Sequence, residues 1–146
     1  MEFIEKLKSL KACRPAMDWV QEGNKTWKEA YNTCNKGDWL LWLFERTNPD
    51  DVKLISLTKG HYANSLRHLI KDRRSLDIID VAIAFGEGKM DEVLIKDGFT
   101  TITAANYANY IFATVQTSFR GEIRKATEKL TADICRKYLP IEIWNI

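Results

Sequence analysis

The stretch Asp38-Trp39-Leu40-Leu41-Trp42-Leu43-Phe44-Glu45-Arg46 decides how this chain is read. Six consecutive apolar residues, two of them tryptophan, lie between charged ends. Trp39 and Trp42 are three positions apart, so on a helix they share a face. So much aromatic area in one short helix either anchors a core or forms a contact surface. The core is the first expectation and the surface the second.

Working outward, the chain reads as helices. Phe3, Ile4, Leu7, Leu10 and Cys13 recur at three- and four-residue spacing, so the start is an amphipathic helix. Pro15 can open a second helix carrying Met17, Trp19 and Val20, broken by Gly23 and Asn24. Thr26 with Glu29 fits a capping box, and Gly37 should end the helix it opens. Asp38 is then placed to cap the tryptophan helix. Asn48-Pro49-Asp50-Asp51 is a break with Asp50 or Asp51 as the next cap. Val52, Ile55, Tyr62, Ala63, Leu66, Leu69 and Ile70 form one long stripe. Ser75 should cap the following helix, which is apolar almost all round from Ile78 to Phe85 and belongs in the core. Gly86 and Gly88 stop it, and a short helix is expected around Met90–Ile95, ended by Gly98.

From Thr103 to Tyr138 there is no proline and a single glycine, Gly121. Tyr107, Ile111, Val115, Phe119, Ile123, Ala126, Leu130, Ile134 and Tyr138 continue one stripe, on one long helix or on two meeting near Gly121. No strand alternation or hairpin signal stands out. The expectation is an all-α compact bundle of about six to eight helices with a long C-terminal helix, one domain spanning 1–146.

Composition narrows the function classes. With 22 Lys+Arg against 20 Asp+Glu the net charge is +2, which gives no global pull toward nucleic acid or acidic membrane. Residues 100–146 carry six basic and four acidic groups, so charge does not segregate. Cys13, Cys34 and Cys135 are odd in number and far apart, and read as buried free thiols in a reducing compartment. The first residues lack a signal-peptide layout, and the longest apolar run is far short of the roughly 20 residues of a membrane helix. A cytoplasmic protein with no membrane association is expected.

Chemistry-bearing patterns are sparse. His61 and His68 are too far apart along a helix to chelate one metal. His68 and Asp72, at i and i+4, could orient an imidazole, but the simpler reading is a surface pair. Arg67, His68, Lys71, Arg73 and Arg74 concentrate positive charge. They read as a helix C-terminal cluster stabilised by the dipole, or as a site for an anionic ligand or an acidic protein surface. Asp77 and Asp80 read as their ion-pairing partners. Gly86-Glu87-Gly88 lacks the strand, glycine spacing and Lys-Ser/Thr of a phosphate loop. No metal, cofactor or catalytic residue is assigned.

Several phrases, taken in order, resemble a known family. They are Ala12-Cys13 with Ala16 and Trp19; Thr26 with Glu29-Ala30 and Cys34; and Gly37-Asp38-Trp39-Leu40-Leu41-Trp42-Leu43. Asn64-Ser65 with Arg67-His68-Leu69, Ala82 through Gly88, and Thr131 through Arg136 with Tyr138-Leu139-Pro140 complete the set. Together they resemble small helical immunity proteins of bacterial polymorphic-toxin loci, phages and mobile elements. The resemblance implies a helical fold and a non-catalytic role, neutralising a toxin or effector by direct protein contact. It prescribes no active site.

Candidate partner-binding residues are therefore Arg67, His68, Lys71, Arg73 and Arg74, with Trp39 and Trp42. The alternative is a phage-type counter-defence protein that inhibits a host nuclease or sequesters a signalling nucleotide. An enzyme is the least supported class, because no nucleophile–base pairing or metal spacing is present. A symmetric homodimer is compatible with each reading.

Overall fold

The structure is a computed structural model. It describes residues 2–91, 94–96 and 99–146, the side chains of 94–96 and 99 excepted. Among these residues the chain is an all-α bundle of eight α-helices. They are α1 (Phe3–Ser9), α2 (Arg14–Glu22), α3 (Trp27–Thr33), α4 (Gly37–Thr47), α5 (Val52–Asn64), α6 (Arg73–Gly86), α7 (Thr101–Gln116) and α8 (Gly121–Tyr138). Short 3₁₀ turns occupy Arg67–Leu69 and Ile141–Ile143.

Two close helix junctions organise the bundle, and each depends on glycine. A Cβ on Gly86 would lie 2.5 Å from Leu57 Cβ, so α6 runs hard against α5. Gly60 faces Ile83 in the same interface, and Ser56 Oγ donates to the Ala82 carbonyl at 2.8 Å. The second junction joins α4 to α8, where a Cβ on Gly37 would approach the Thr131 backbone to 2.4 Å. Helix α7 lays the small residues Ala104, Ala105 and Ala108 into the core. Small residues let helix axes approach closely, which raises packing density around Tyr62, Phe44, Ile79 and Phe85.

Several local expectations change. Helix α1 stops at Ser9, where Lys11 adopts φ 59°, so Cys13 is exposed and precedes α2 rather than lying in a buried stripe. Gly37 opens α4 rather than ending α3, because its N–H is needed by Thr131. Asp38 therefore lies in the first turn of α4 and does not cap it. The stripe from Val52 to Ile70 breaks at Asn64. Asp72, not Ser75, caps α6, accepting from the Ser75 N–H at 3.2 Å. The helix expected around Met90–Ile95 is absent from its described part: Leu94–Lys96 (β1) pairs antiparallel with Phe99–Thr100 (β2). Glu92, Val93 and Gly98 lie outside the described residues.

The long C-terminal stripe is two helices, parted before Gly121, whose φ of 56° is a conformation glycine adopts without cost. On α8 the buried line is Thr127, Thr131, Ala132 and Cys135, while Ile123 and Leu130 are exposed. Small and hydroxyl side chains win that face because α4 approaches it through a glycine.

Candidate functional site

Four of the five tryptophans fall between positions 19 and 42, and the fold brings all four to one concavity. Pro15 in the first turn starts α2, and Gly23 with Asn24 at φ 47° turns the chain back. The Lys25 ammonium then donates to the Trp19 carbonyl at 2.9 Å, closing the helix end. The Thr26–Glu29 capping box forms as expected and sets Trp27 as the first residue of α3. Helix α4 then supplies Trp39 and Trp42 from one face.

The result is a groove of about 490 Å³. Phe3 and Leu7 of α1, Ala16 and Trp19 of α2, Trp27 of α3, and Trp39, Leu40, Trp42 and Leu43 of α4 line it, with Lys11, Cys13 and Asp38 among the polar groups. Trp39 and Trp42 are half-buried, so neither the pure core reading nor the pure surface reading describes them. Each packs against the core and also lines the groove. Phe3 meets Trp27 at 5.4 Å between ring centroids, and Trp19 meets Trp39 at 6.1 Å.

The floor behind Trp27 is held by aromatic packing and hydrogen bonds. Trp144 from the C-terminal segment packs on Trp27, Phe44 and Tyr31 with centroids 4.7, 4.9 and 5.9 Å away. Its indole N–H donates to the Leu139 carbonyl at 2.9 Å, and the Tyr31 hydroxyl donates to the same oxygen at 3.0 Å. Asn48 holds the segment again, donating to the Ile143 carbonyl at 2.9 Å and accepting from the Asn145 N–H at 3.1 Å. Arg136 donates to the Tyr31 and Cys34 carbonyls at 3.0 and 2.8 Å, tying α8 to the end of α3.

Three of these indoles carry a stacked cation, while the charged residues of the groove lining itself are Lys11 and Asp38. Lys25 lies over Trp19 at 4.4 Å, Lys36 over Trp39 at 5.2 Å and Arg46 over Trp42 at 5.2 Å. A cation over an indole face is attracted to its quadrupole and still offers N–H donors outward.

The basic cluster is arranged differently from its sequence reading. Arg67 sits in the 3₁₀ turn, bound to Asp80 and to Asn64 Oδ1. Arg73 pairs with Asp77 at 3.2 Å. Arg73 and Arg74 begin α6, so they stand at a helix N-terminus, where the dipole disfavours cations, and not at a C-terminus. His68 and Lys71 are exposed on the connection. His68 and Asp72 belong to different elements, and Asp72 is engaged by Ser75 through its N–H and hydroxyl. The Ser75 hydroxyl bond, chiefly, holds the Asp72 carboxyl below its ordinary range. Trp39 and Trp42 are brought to the groove; the basic cluster is not part of its lining.

Two of the three cysteine thiols are buried, and Cys13 is exposed. Desolvation pushes the Cys135 thiol up to about 12 and raises Cys34. Tyr62, beside Cys135, is raised well above the usual phenol range for the same reason. Among the described residues no group of three His, Cys, Asp or Glu side chains is placed to hold a metal, and no helix is long and apolar enough to cross a membrane.

Sequence reading missed Phe3, Trp19 and Trp27 as lining residues. The clustering of tryptophans before position 43 was the available signal. Comparison with protein-family models, characterised proteins and solved structures found no match to this chain.

Proposed function

We propose that the protein is a non-catalytic binding protein that neutralises a toxin or other effector by direct protein contact. The observation that carries this reading is the groove: four half-buried tryptophans gathered in one concavity, backed by the packed Trp144 segment. Interfaces concentrate their binding energy in such tryptophan and tyrosine anchors, and a preorganised anchor loses little entropy on binding. The resemblance to immunity proteins fits the same role, and a reducing, cytoplasmic setting suits the unpaired cysteines.

The counter-defence alternative, in which a nucleotide is sequestered, would draw on Arg67, His68, Lys71, Arg73 and Arg74. Arg67 and Arg73 already hold Asp80 and Asp77, so the groove supports the first reading better.

Affinity capture from lysate of the native host tests the proposal. The expected result is one stoichiometric protein whose toxic or enzymatic activity falls in proportion to added pure chain, ending at equimolar ratio. A captured fraction without a stoichiometric protein, or a partner whose activity is unchanged, would contradict it.

A further inference from the structure

We infer that the exposed face of α7 pairs with the same face of a second copy of this chain, in a weak symmetric dimer centred on Tyr110. This contact is separate from the groove, whose lining takes no residue from α7.

From Phe99 to Phe119 the chain has no Asp, Glu, Lys or Arg, although 29% of all its residues are charged. On α7 the exposed positions are Thr103, Asn106, Tyr107, Tyr110, Ala113 and Thr114, followed by the C-cap Thr117. They recur at three- and four-residue spacing, so they form one straight seam along the helix. Tyr110 is 63% exposed and Tyr107 42%, with their rings 5.8 Å apart. A charge-free seam steers neither an acidic nor a basic partner. It suits its own copy, because in a symmetric contact residues at the axis meet themselves, and a charge there would meet its like. On one flank Asn109 shares a pocket with Asp38, Glu45 and Arg46, so charge borders the seam without entering it.

The order of large and small side chains selects the second copy. With a two-fold axis at Tyr110 and the helices antiparallel, Tyr107 of one copy faces Ala113 of the other, Asn106 faces Thr114, and Thr103 faces Thr117. Large thus meets small, as knobs fill holes between packed helices, and the two Tyr110 rings meet at the axis. The hydroxyls already suit a dry contact. Thr114 donates to the Tyr110 carbonyl at 2.9 Å and Thr117 to the Thr114 carbonyl at 2.6 Å, so neither proton lacks an acceptor. Asn106 Oδ1 accepts from Lys59 at 2.8 Å, which leaves its N–H donors for the Thr114 hydroxyl of the second copy. The exposed apolar pair Ile123 and Leu130 on α8 is instead interleaved with the ion pairs Arg124–Glu128 and Lys129–Asp133, the pattern of a solvated face. At about 1.5 Å per residue the 16 residues of α7 span roughly 24 Å. One helix pair of that length is at the small end of specific interfaces, so a Kd of about 10–100 µM is expected.

Sedimentation velocity of the full chain, from about 1 to about 500 µM, is the test. The expected result is monomer at the low end and a growing dimer at the high end. Tyr110→Glu and Tyr110→Lys each set like charges at the axis. Either should weaken association by about tenfold or more, with helicity and Tm unchanged because Tyr110 is exposed. An equimolar mixture of the two should recover dimer, since opposite charges then meet across the axis. Ala113→Glu, also exposed, should weaken association by a similar factor of about ten, so the result does not rest on one position. Ile123→Glu on α8 should leave association as it is. A chain that stays monomeric throughout overturns the inference, as happens if the seam takes a foreign neutral partner instead. So does a dimer left intact by Tyr110→Glu and Ala113→Glu, a dimer lost in Ile123→Glu, or a mixture of the two Tyr110 variants that stays monomeric.

Discussion

The backbone N–H of Gly37 donates to the Thr131 hydroxyl at 3.1 Å, pinning the first residue of the tryptophan helix to the middle of α8. The Gly37 carbonyl accepts from the Tyr62 hydroxyl at 2.9 Å, so one residue joins α4, α5 and α8. Thr131 Oγ1 would lie 2.4 Å from a Cβ at position 37. Gly37→Ala should therefore destabilise the fold by about 1–3 kcal/mol through overpacking. Thr131→Val should cost a similar roughly 1–3 kcal/mol by leaving a buried N–H unpaired. Denaturant midpoints at constant m-value check both.

The buried Lys59 makes a second prediction. Its side chain is 8% exposed, and its ammonium lies 3.3 Å from Glu45 Oε1 and 2.8 Å from Asn106 Oδ1. It thus links α4, α5 and α7. Glu45→Ala leaves a buried cation with a neutral partner and should cost about 1–3 kcal/mol, on the scale of a lost buried hydrogen bond. Lys59→Met removes the charge together with its desolvation and should cost less than Glu45→Ala. The reverse order of the two denaturation midpoints would contradict this role for the pair.

These junctions explain what the sequence made legible. The apolar periodicity of α5 to α8 fixed the all-α class, and the capping box at Thr26 was readable because its two side chains act locally. Gly37 was misread as a helix stop because its partner, Thr131, is 94 positions away. The α8 face was misassigned for the same reason: the long stripe Ile123–Leu130 has the right spacing, but burial follows the small residues that α4 can approach. The groove was half legible. Trp39 and Trp42 announced themselves, while Trp19 and Trp27 reach it only through the turns at Asn24 and Thr26.

Stability should fall on both sides of neutrality. Burial lowers His61, which stacks on Tyr138 at 4.4 Å, so the folded state binds this proton less readily than the unfolded one. Its contribution is present above the unfolded value near 6.5 and is lost as pH falls through the lower folded value. Asp133, held down by Lys129 and Arg136, adds a further loss below the ordinary carboxylate range. On the alkaline side the raised Cys135 contributes stability that is full below about 9 and drains away toward about 12. Thermal unfolding from pH 4 to 11 should trace a dome, with His61→Phe flattening the arm just below 6.5.

Thiol accessibility follows from the same burial. Cys13 is exposed, whereas Cys34 and Cys135 are buried. Ellman's reagent at pH 8 should therefore titrate Cys13 rapidly in the folded protein and the other two after denaturation. Rapid reaction of all three in native buffer would contradict the packing of α3 and α8.

Two arginines at the start of α6 oppose its dipole. Arg74→Gln should raise stability by about 0.3–1 kcal/mol at low salt, an effect that shrinks as salt is added. Melting curves at two ionic strengths read it directly.

The proposed partner-binding surface is the tryptophan groove. Its most direct test is calorimetric titration of the captured partner into two variants, Ala16→Trp in the groove and Arg73→Glu/Arg74→Glu in the basic cluster. The groove variant should lose about tenfold or more in affinity and the cluster variant should keep near-native affinity. Native affinity in Ala16→Trp, with loss confined to Arg73→Glu/Arg74→Glu, would contradict it and move the binding surface to the start of α6.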